Sequence, residues 1–278
     1  MIIPVYFVVA LMPEARPLIR KFGLSIDQEC AALPIYQNDG GVRLVVSGIG
    51  SMAAVAATAY LHLRQGEIRD AVWMNVGIAG HRNYPIGQAV LAHKITDADS
   101  GKSWYPPIVF DPHCPTVDVV SVRRPERSYP TESAYDMEAA GFYREAARHS
   151  SAELIHSLKI ISDTADAAAS RKTVTPDLAD RLVEARVGLI DDIVERLIAL
   201  ARPLLRRNEE PSVFKRMLRQ WHFTVSQQHQ LRRLLARRRA IKADTRISID
   251  SLSSCGDSRS VLRELGRRLD GMPVQLNR

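Results

Sequence analysis

The feature that most restricts this chain is a set of near-continuous apolar runs separated by segments of helical period. Residues 2–10 read IIPVYFVVA, residues 71–76 read AVWMNV and residues 158–162 read LKIIS. A strand with one wet face alternates polar and apolar residues, whereas runs without that alternation belong to strands covered on both faces. Residues 13–22 open with Pro13, carry Leu18, Ile19 and Phe22, and stop at Gly23, as an amphipathic helix does. Residues 51–63 read as a helix of small residues, and 137–149 and 176–201 as further helices. Strands are expected at 32–36 and 42–47, joined by the turn Gln37-Asn38-Asp39-Gly40-Gly41, and at 87–96 and 117–122. A glycine-bearing turn is expected at 77–80, and residues 97–130, rich in Pro, Asp and Arg, are expected to be mostly loop. The expected class is α/β: three α/β/α layers around a central twisted mixed sheet.

Charge divides the chain. Residues 1–200 hold 20 Lys and Arg against 24 Asp and Glu, while residues 201–278 hold 18 against 7, so the net charge of +7 belongs to the tail. The two parts are read separately, as a domain over 1–205 and a basic C-terminal extension over 206–278, mainly helical or partly disordered. Within the extension, 206–213 reads as a linker, 214–223 and 227–243 as basic helices, 251–260 as a Ser-rich loop and 261–269 as a short helix. No apolar run reaches the roughly 20 residues of a transmembrane helix. The first twelve residues lack the basic lead and small-residue cleavage site of a signal peptide and read as a buried strand. Cys30, Cys114 and Cys255 are scattered and odd in number, which argues against a disulfide framework and a Cys-based metal site. A cytoplasmic protein is expected.

Ligands in α/β sheets collect beyond the carboxyl ends of the strands. Four such ends carry suggestive residues: Glu14, Ser47-Gly48-Ile49-Gly50, Gly77-Ile78-Ala79-Gly80 and Ser162-Asp163. Glycines ahead of a helix let backbone N–H groups approach an anion. The dinucleotide fingerprint is not completed, however, because Ala53 stands at its last glycine position. Read singly, Asp163 also suits the cap of a turn, and Glu14 and Glu138 suit ordinary helix ends.

Together these segments resemble a known family. The string from Val46 to Ala57 (VSGIGSMAAVAA) is similar to the glycine turn and small-residue helix of 5′-methylthioadenosine/S-adenosylhomocysteine nucleosidases, within the purine nucleoside phosphorylase and nucleosidase superfamily. Asn75-Val76-Gly77-Ile78-Ala79-Gly80 resembles their next glycine turn, Tyr135-Asp136-Met137-Glu138-Ala139-Ala140 their sugar-binding segment, and Ile161-Ser162-Asp163-Thr164-Ala165-Asp166 their base-binding segment. The likeness runs over residues 2–200. It implies that Asp163, with Ser162 beside it, protonates the departing base, and that Glu138 holds the ribose hydroxyls with Met137 packed on the sugar. It further implies that Glu14 orients the attacking water and that Gly50, Ile78, Ala79 and Gly80 line the substrate. It implies a homo-oligomer, commonly a dimer, and no metal or organic cofactor.

Departures accompany the likeness. Ile78 stands where many nucleosidases have a small polar residue, and the short basic stretch before Tyr135 lacks the family's longer aromatic-bearing loop. Arg43 and Arg82 are the arginines available to a phosphate, though neither sits in a matched motif. The expected reaction is hydrolysis of a 5′-modified adenine-type nucleoside, with phosphorolysis as the rival. The loop residues Trp104, Tyr105 and Phe110 could wall a pocket or pack locally. The tail, with its arginines flanking Leu231, Leu234, Leu235 and Ile241, suits either packing on the catalytic domain or docking on nucleic acid or an acidic protein through 215–243. A third reading follows: a low-activity nucleoside-binding or nucleic-acid- or partner-associated protein that works through this tail.

Overall fold

The computed structural model describes residues 2–29, 32–64, 70–165, 174–208, 212–240, 252 and 255–271. The apolar run 2–10 becomes β1 (Val5–Val9), every residue of which is buried. It lies parallel between β4 (Val42–Val46) and β5 (Val72–His81). Short β2 (Ser25–Ile26) and β3 (Ile35–Gln37) extend the β4 edge in antiparallel fashion. β10 (Ile155–Asp163) runs parallel to β5 on its other side and antiparallel to β6 (Ala89–Asp97). β8 (Thr116–Ser121) and β9 (Ala134–Asp136) follow β6 in parallel, and β7 (Ser103–Trp104) pairs with β6. Because β9 returns to pair with the end of β5, strands β5, β10, β6, β8 and β9 form a closed ring.

Successive strand residues point to opposite faces, and both faces of β1 are covered. Val5, Phe7 and Val9 pack with Leu18 of α1 (Met12–Phe22), Val183 of α4 (Pro176–Glu184) and Ile193 of α5 (Val187–Asn208). Tyr6 and Val8 pack with Ala57 and Leu61 of α2 (Ser51–Arg64) and Phe142 of α3 (Ala139–Ala146). Removing each such large side chain from water contributes roughly 1.5–3 kcal/mol, so the apolar runs supply a large part of the drive that buries the sheet.

Several expectations change. Residues 77–80 are not a turn: β5 continues through them to His81, paired with β10 on one side and β9 on the other. The helix expected at 176–201 is two helices broken at Ala185 and Arg186, where Arg186 Nε donates to Gly87 O at 2.8 Å. The linker expected from 206 is helical through Asn208, and the next helix begins at Ser212. The helix expected at 137–149 starts only at Ala139, which leaves Met137 and Glu138 ahead of it. Asp166 and residues 241–243 lie outside the described residues.

The chain divides into two compact units, Met1–Arg206 and Arg207–Arg278. In the second, α6 (Ser212–Gln220), α7 (Val225–Ala240) and α8 (Ser258–Asp270) enclose a core that includes Phe214, Met217, Leu231, Leu235, Leu262 and Leu265. Asp257 caps α8, accepting from Ser260 N at 2.7 Å. No helix of the described residues is long and apolar enough to cross a membrane.

In the first unit α2 and α3 approach so closely that a Cβ at Gly141 would overlap the backbone of Ser51. Gly188, on an exposed face of α5, has open space around it. Gly141→Ala is therefore expected to lower the unfolding free energy by about 1–3 kcal/mol. Gly188→Ala should raise it by about 0.5–1 kcal/mol. Denaturant midpoints of the two variants check the contrast.

Candidate functional site

The carboxyl end of β1 leads into α1, whose third residue is Glu14. Its side chain turns back into the protein rather than outward and is only 3% exposed. One carboxylate oxygen accepts from Leu11 N at 2.9 Å, closing the first turn of α1, and the other accepts from Ile78 N at 2.9 Å. Glu14 thus both caps its helix and bridges to β5. Gly77 makes room for it: a Cβ at that position would lie 3.1 Å from Glu14 Oε1 and 3.6 Å from Lys159 Nζ.

The turn after β4 works in the same manner. Gly48 and Gly50 have φ of 83° and 105°, conformations that a side chain disfavours. The turn presents Gly50 N to Glu138 Oε1 at 2.7 Å, across 88 residues of chain. The anion at this helix entrance is therefore the protein's own carboxylate. Met137 beside it is half-buried.

Between Glu14 and Glu138 stands Lys159 of β10, whose Nζ lies 2.7 Å from Asp136 Oδ2, with both side chains at most 1% exposed. Asp136 is further held by Ser121 Oγ at 2.5 Å and by Ala139 N at 2.8 Å. Burial and the negative charge of Asp136 push the Glu138 carboxyl up to about 7, against the opposing pull of Lys159 and the Gly50 N–H. Burial also raises Glu14, although the N–H groups of Ile78 and Leu11 and the charge of Lys159 oppose it. For Lys159 burial acts to lower the pKa, but Asp136, Glu138 and Glu14 outweigh it and hold the ammonium charged.

Asp163 ends β10, in register with Gly80 of β5, as Lys159 is with Gly77. Ser162 Oγ donates to Asp163 Oδ1 at 2.6 Å and also approaches Ala79 O at 3.3 Å. The other oxygen accepts from the Tyr129 hydroxyl. The expected residues therefore gather near the carboxyl ends of the neighbouring strands β5 and β10: Ile78, Ala79 and Gly80 follow one another on β5, Ser162 and Asp163 close β10, and Glu14 reaches Ile78 N from α1. Glu138 and Gly50 are tied to Glu14 through Lys159. Trp104 and Phe110 pack against the two cores rather than forming an aromatic wall, and Phe110 meets His156 edge-on with centroids 5.3 Å apart. A groove of about 520 Å³ lined by His81, Asn83, Tyr84, His93, Asp118 and Glu132, among others, contains none of Glu14, Glu138, Lys159 or Asp163. Among the described residues, no group of three or more His, Cys, Asp or Glu is placed to hold a metal ion.

The fold of residues within the first unit has counterparts among solved structures. The methylthioadenosine nucleosidase of Arabidopsis thaliana, in apo form, is 17% identical with a TM-score of 0.57 over 70% of this chain and 96% of that one. The fold is that of the MTA/SAH nucleosidases. The nucleosidase of Colwellia psychrerythraea 34H, in complex with adenine, gives 18% identity and a TM-score of 0.52, covering 68% of this chain and 96% of that one. The futalosine hydrolase of Helicobacter pylori strain 26695 gives 14% and 0.54, covering 70% and 99%. No protein-family model and no curated protein matches the chain.

Within this nucleosidase fold, the sequence reading passed over three residues: Lys159, Asp136 and Tyr129. Lys159 carried a usable signal, since an ammonium in the middle of an apolar strand must be paired when buried. Tyr129, 1% exposed, was hidden in a stretch read as basic loop.

The raised Glu138 pKa fixes a pH dependence. Between the ordinary carboxyl range and about 7 the folded protein binds more protons at Glu138 than the unfolded chain does. Stability from this group is fully present at the acid side and falls as pH rises towards 7, by up to about 1.4 kcal/mol per pH unit. Denaturation of wild type and Glu138→Gln from pH 4 to 8 should give curves whose difference slopes in that window and levels above it. A flat difference would contradict the burial of this carboxyl.

Proposed function

We propose that the first unit hydrolyses the N-glycosidic bond of a purine nucleoside, releasing an adenine-type base from a 5′-modified ribose. The observation that carries this reading is the buried Glu14–Lys159–Asp136–Glu138 cluster, with Glu14 just past β1, Asp136 and Glu138 at and after the end of β9, Lys159 midway along β10 and Asp163 at the end of β10. Breaking the C1′–N9 bond leaves positive charge on the sugar and an electron pair on the base. A protonated Asp163 gives its proton to the base as the bond breaks, with Ser162 fixing the carboxyl. Glu138, released from Gly50 N, accepts hydrogen bonds from the ribose hydroxyls, and its charge favours the cationic sugar. Water adds its oxygen to C1′ and passes a proton to Glu14, which Lys159 and the Ile78 N–H hold in place.

Hydrolysis is favoured over phosphorolysis by charge. Lys159 is committed to Asp136 and faces two further carboxylates, a setting that repels a phosphate dianion. Arg43 Nε is engaged by Gln37 at 3.1 Å, and Arg82 is exposed. The neighbours in complex with adenine, methylthio-immucillin-A and 5′-methylthioadenosine support an adenine nucleoside as substrate class. Adenine release from methylthioadenosine, adenosylhomocysteine and 5′-deoxyadenosine should proceed equally with and without phosphate. Asp163→Asn should lower kcat by roughly 10²–10⁴-fold. Strict phosphate dependence would reject hydrolysis, and an undiminished Asp163→Asn would reject the acid.

The second unit supports a separate role in binding nucleic acid. Residues 212–240 contain Lys215, Arg216, Arg219, Arg232, Arg233, Arg237, Arg238 and Arg239 and no Asp or Glu. The first six of these side chains are exposed around the small core, with the Arg232 guanidinium 4.6 Å from the centroid of the Phe214 ring. Titration of full-length protein with duplex DNA should give an affinity that falls steeply with salt. Replacing Lys215, Arg216 and Arg219 together by Gln should flatten the log–log slope by up to about 0.9 for each phosphate that is no longer neutralised. Binding that ignores salt would remove this role.

A further inference from the structure

Asp163, the group that the proposed reaction requires at the base, is already occupied in this structure. One of its oxygens takes the Ser162 hydroxyl and the other takes the Tyr129 hydroxyl. The Tyr129 ring is pressed so closely on the backbone of β5 that a Cβ at Gly80 would overlap it, and the Tyr135 ring lies 5.7 Å away, centroid to centroid. Tyr129 is 1% exposed, whereas residues 123–125, 127–128 and 130–132 around it are exposed. One side chain of an otherwise solvent-facing loop is thus turned inward onto the candidate acid. Its backbone has φ of 41°, in the left-handed region that a bulky residue rarely adopts, so surrounding contacts must hold it there. Those contacts flank it on both sides. Glu126 Oε1 accepts from Arg127 N, Ser128 N and Ser128 Oγ at 2.7–2.8 Å, and the Glu132 carboxylate accepts from Asn83 Nδ2 at 2.7 and 2.8 Å.

The chemistry of the contact is informative. A purine that has just left the sugar with a proton on its imidazole ring offers a planar aromatic body and one N–H donor. The Tyr129 phenol offers a planar aromatic body and one O–H donor, directed at the same carboxylate with the same polarity. We propose that Tyr129 occupies the leaving-base subsite as an internal mimic of the departing base, so that a nucleoside binds only when Tyr129 withdraws from Asp163. The inference rests on the nucleosidase reading of Asp163 and adds a gate to it. A site competent only in its open fraction shows an affinity reduced by that fraction.

The test compares full-length wild type, Tyr129→Ala and Tyr129→Phe by calorimetric titration with adenine and by adenine release from methylthioadenosine. Circular dichroism and denaturation midpoints establish that each variant is folded. Tyr129→Ala should bind adenine at least tenfold more tightly and show a KM lowered by a similar factor. Tyr129→Phe, which keeps the ring without the hydroxyl donor, should fall between, and it carries the comparison if the alanine variant is unfolded. Wild-type turnover with KM and adenine affinity unchanged or weakened in folded variants overturns the gate and leaves the nucleosidase reading standing. Absence of adenine binding and of base release in all three proteins overturns both. A crystal structure with adenine bound while Tyr129 still touches Asp163 overturns the gate alone.

Discussion

The ion pair between Lys159 and Asp136 is the interaction around which the first unit is arranged. Both side chains are at most 1% exposed, and removing either partner from such a pair costs about 3–5 kcal/mol because a bare charge remains in the interior. The fold accepts this liability and then adds to it, placing Glu14 and Glu138 where both feel the same ammonium. A hydrophobic replacement of similar size would serve stability as well or better. Stability alone does not account for the cluster, and buried groups with shifted pKa values are a general mark of candidate functional sites.

The backbone around the cluster is shaped to receive carboxylates. Gly77 admits Glu14, Gly50 turns its N–H to Glu138, and Gly80 admits the Tyr129 ring. In each case the glycine serves a close approach or an unusual dihedral angle, and each approach is made by a residue distant in sequence. Two of the carboxylates are met by the protein's own donors: Gly50 N at Glu138 and the Tyr129 hydroxyl at Asp163. Each of these carboxylates thus has a hydrogen-bond partner within the protein, as burial of polar groups demands.

Much of this was legible beforehand in particular residues. The unalternating run at 2–10 implies a strand with two covered faces, Gly23 marks the end of α1, and the neighbours of Asp163 and Glu138 in sequence single them out as candidates. Misreadings came where a local rule met a long-range contact. Gly77 to Gly80 carry turn chemistry, yet pairing to β10 and β9 keeps them extended, since the ladders on both sides outweigh the local preference of glycine. Pro, Arg and Ser around Tyr129 read as surface, and that holds for every residue of the stretch 123–132 except Tyr129 and the half-buried Glu126. Nothing local distinguishes the one that turns inward.

By itself, the sequence determined the periods and the partition: covered strands, amphipathic helices, an acidic first part and a basic tail with apolar residues at helical spacing. These follow from the spacing of side chains along a few turns or strand residues, which short stretches of chain encode. Only the tertiary structure decided which charges share one interior. Lys159 meets Asp136 and Tyr129 meets Asp163 because β5, β10, β6, β8 and β9 close into a ring, and Glu138 meets Gly50 because β1 ties β4 to β5 of that ring. Closure sets distances between residues that no local spacing relates, and the electrostatics of the site depends on those distances and on the exclusion of water.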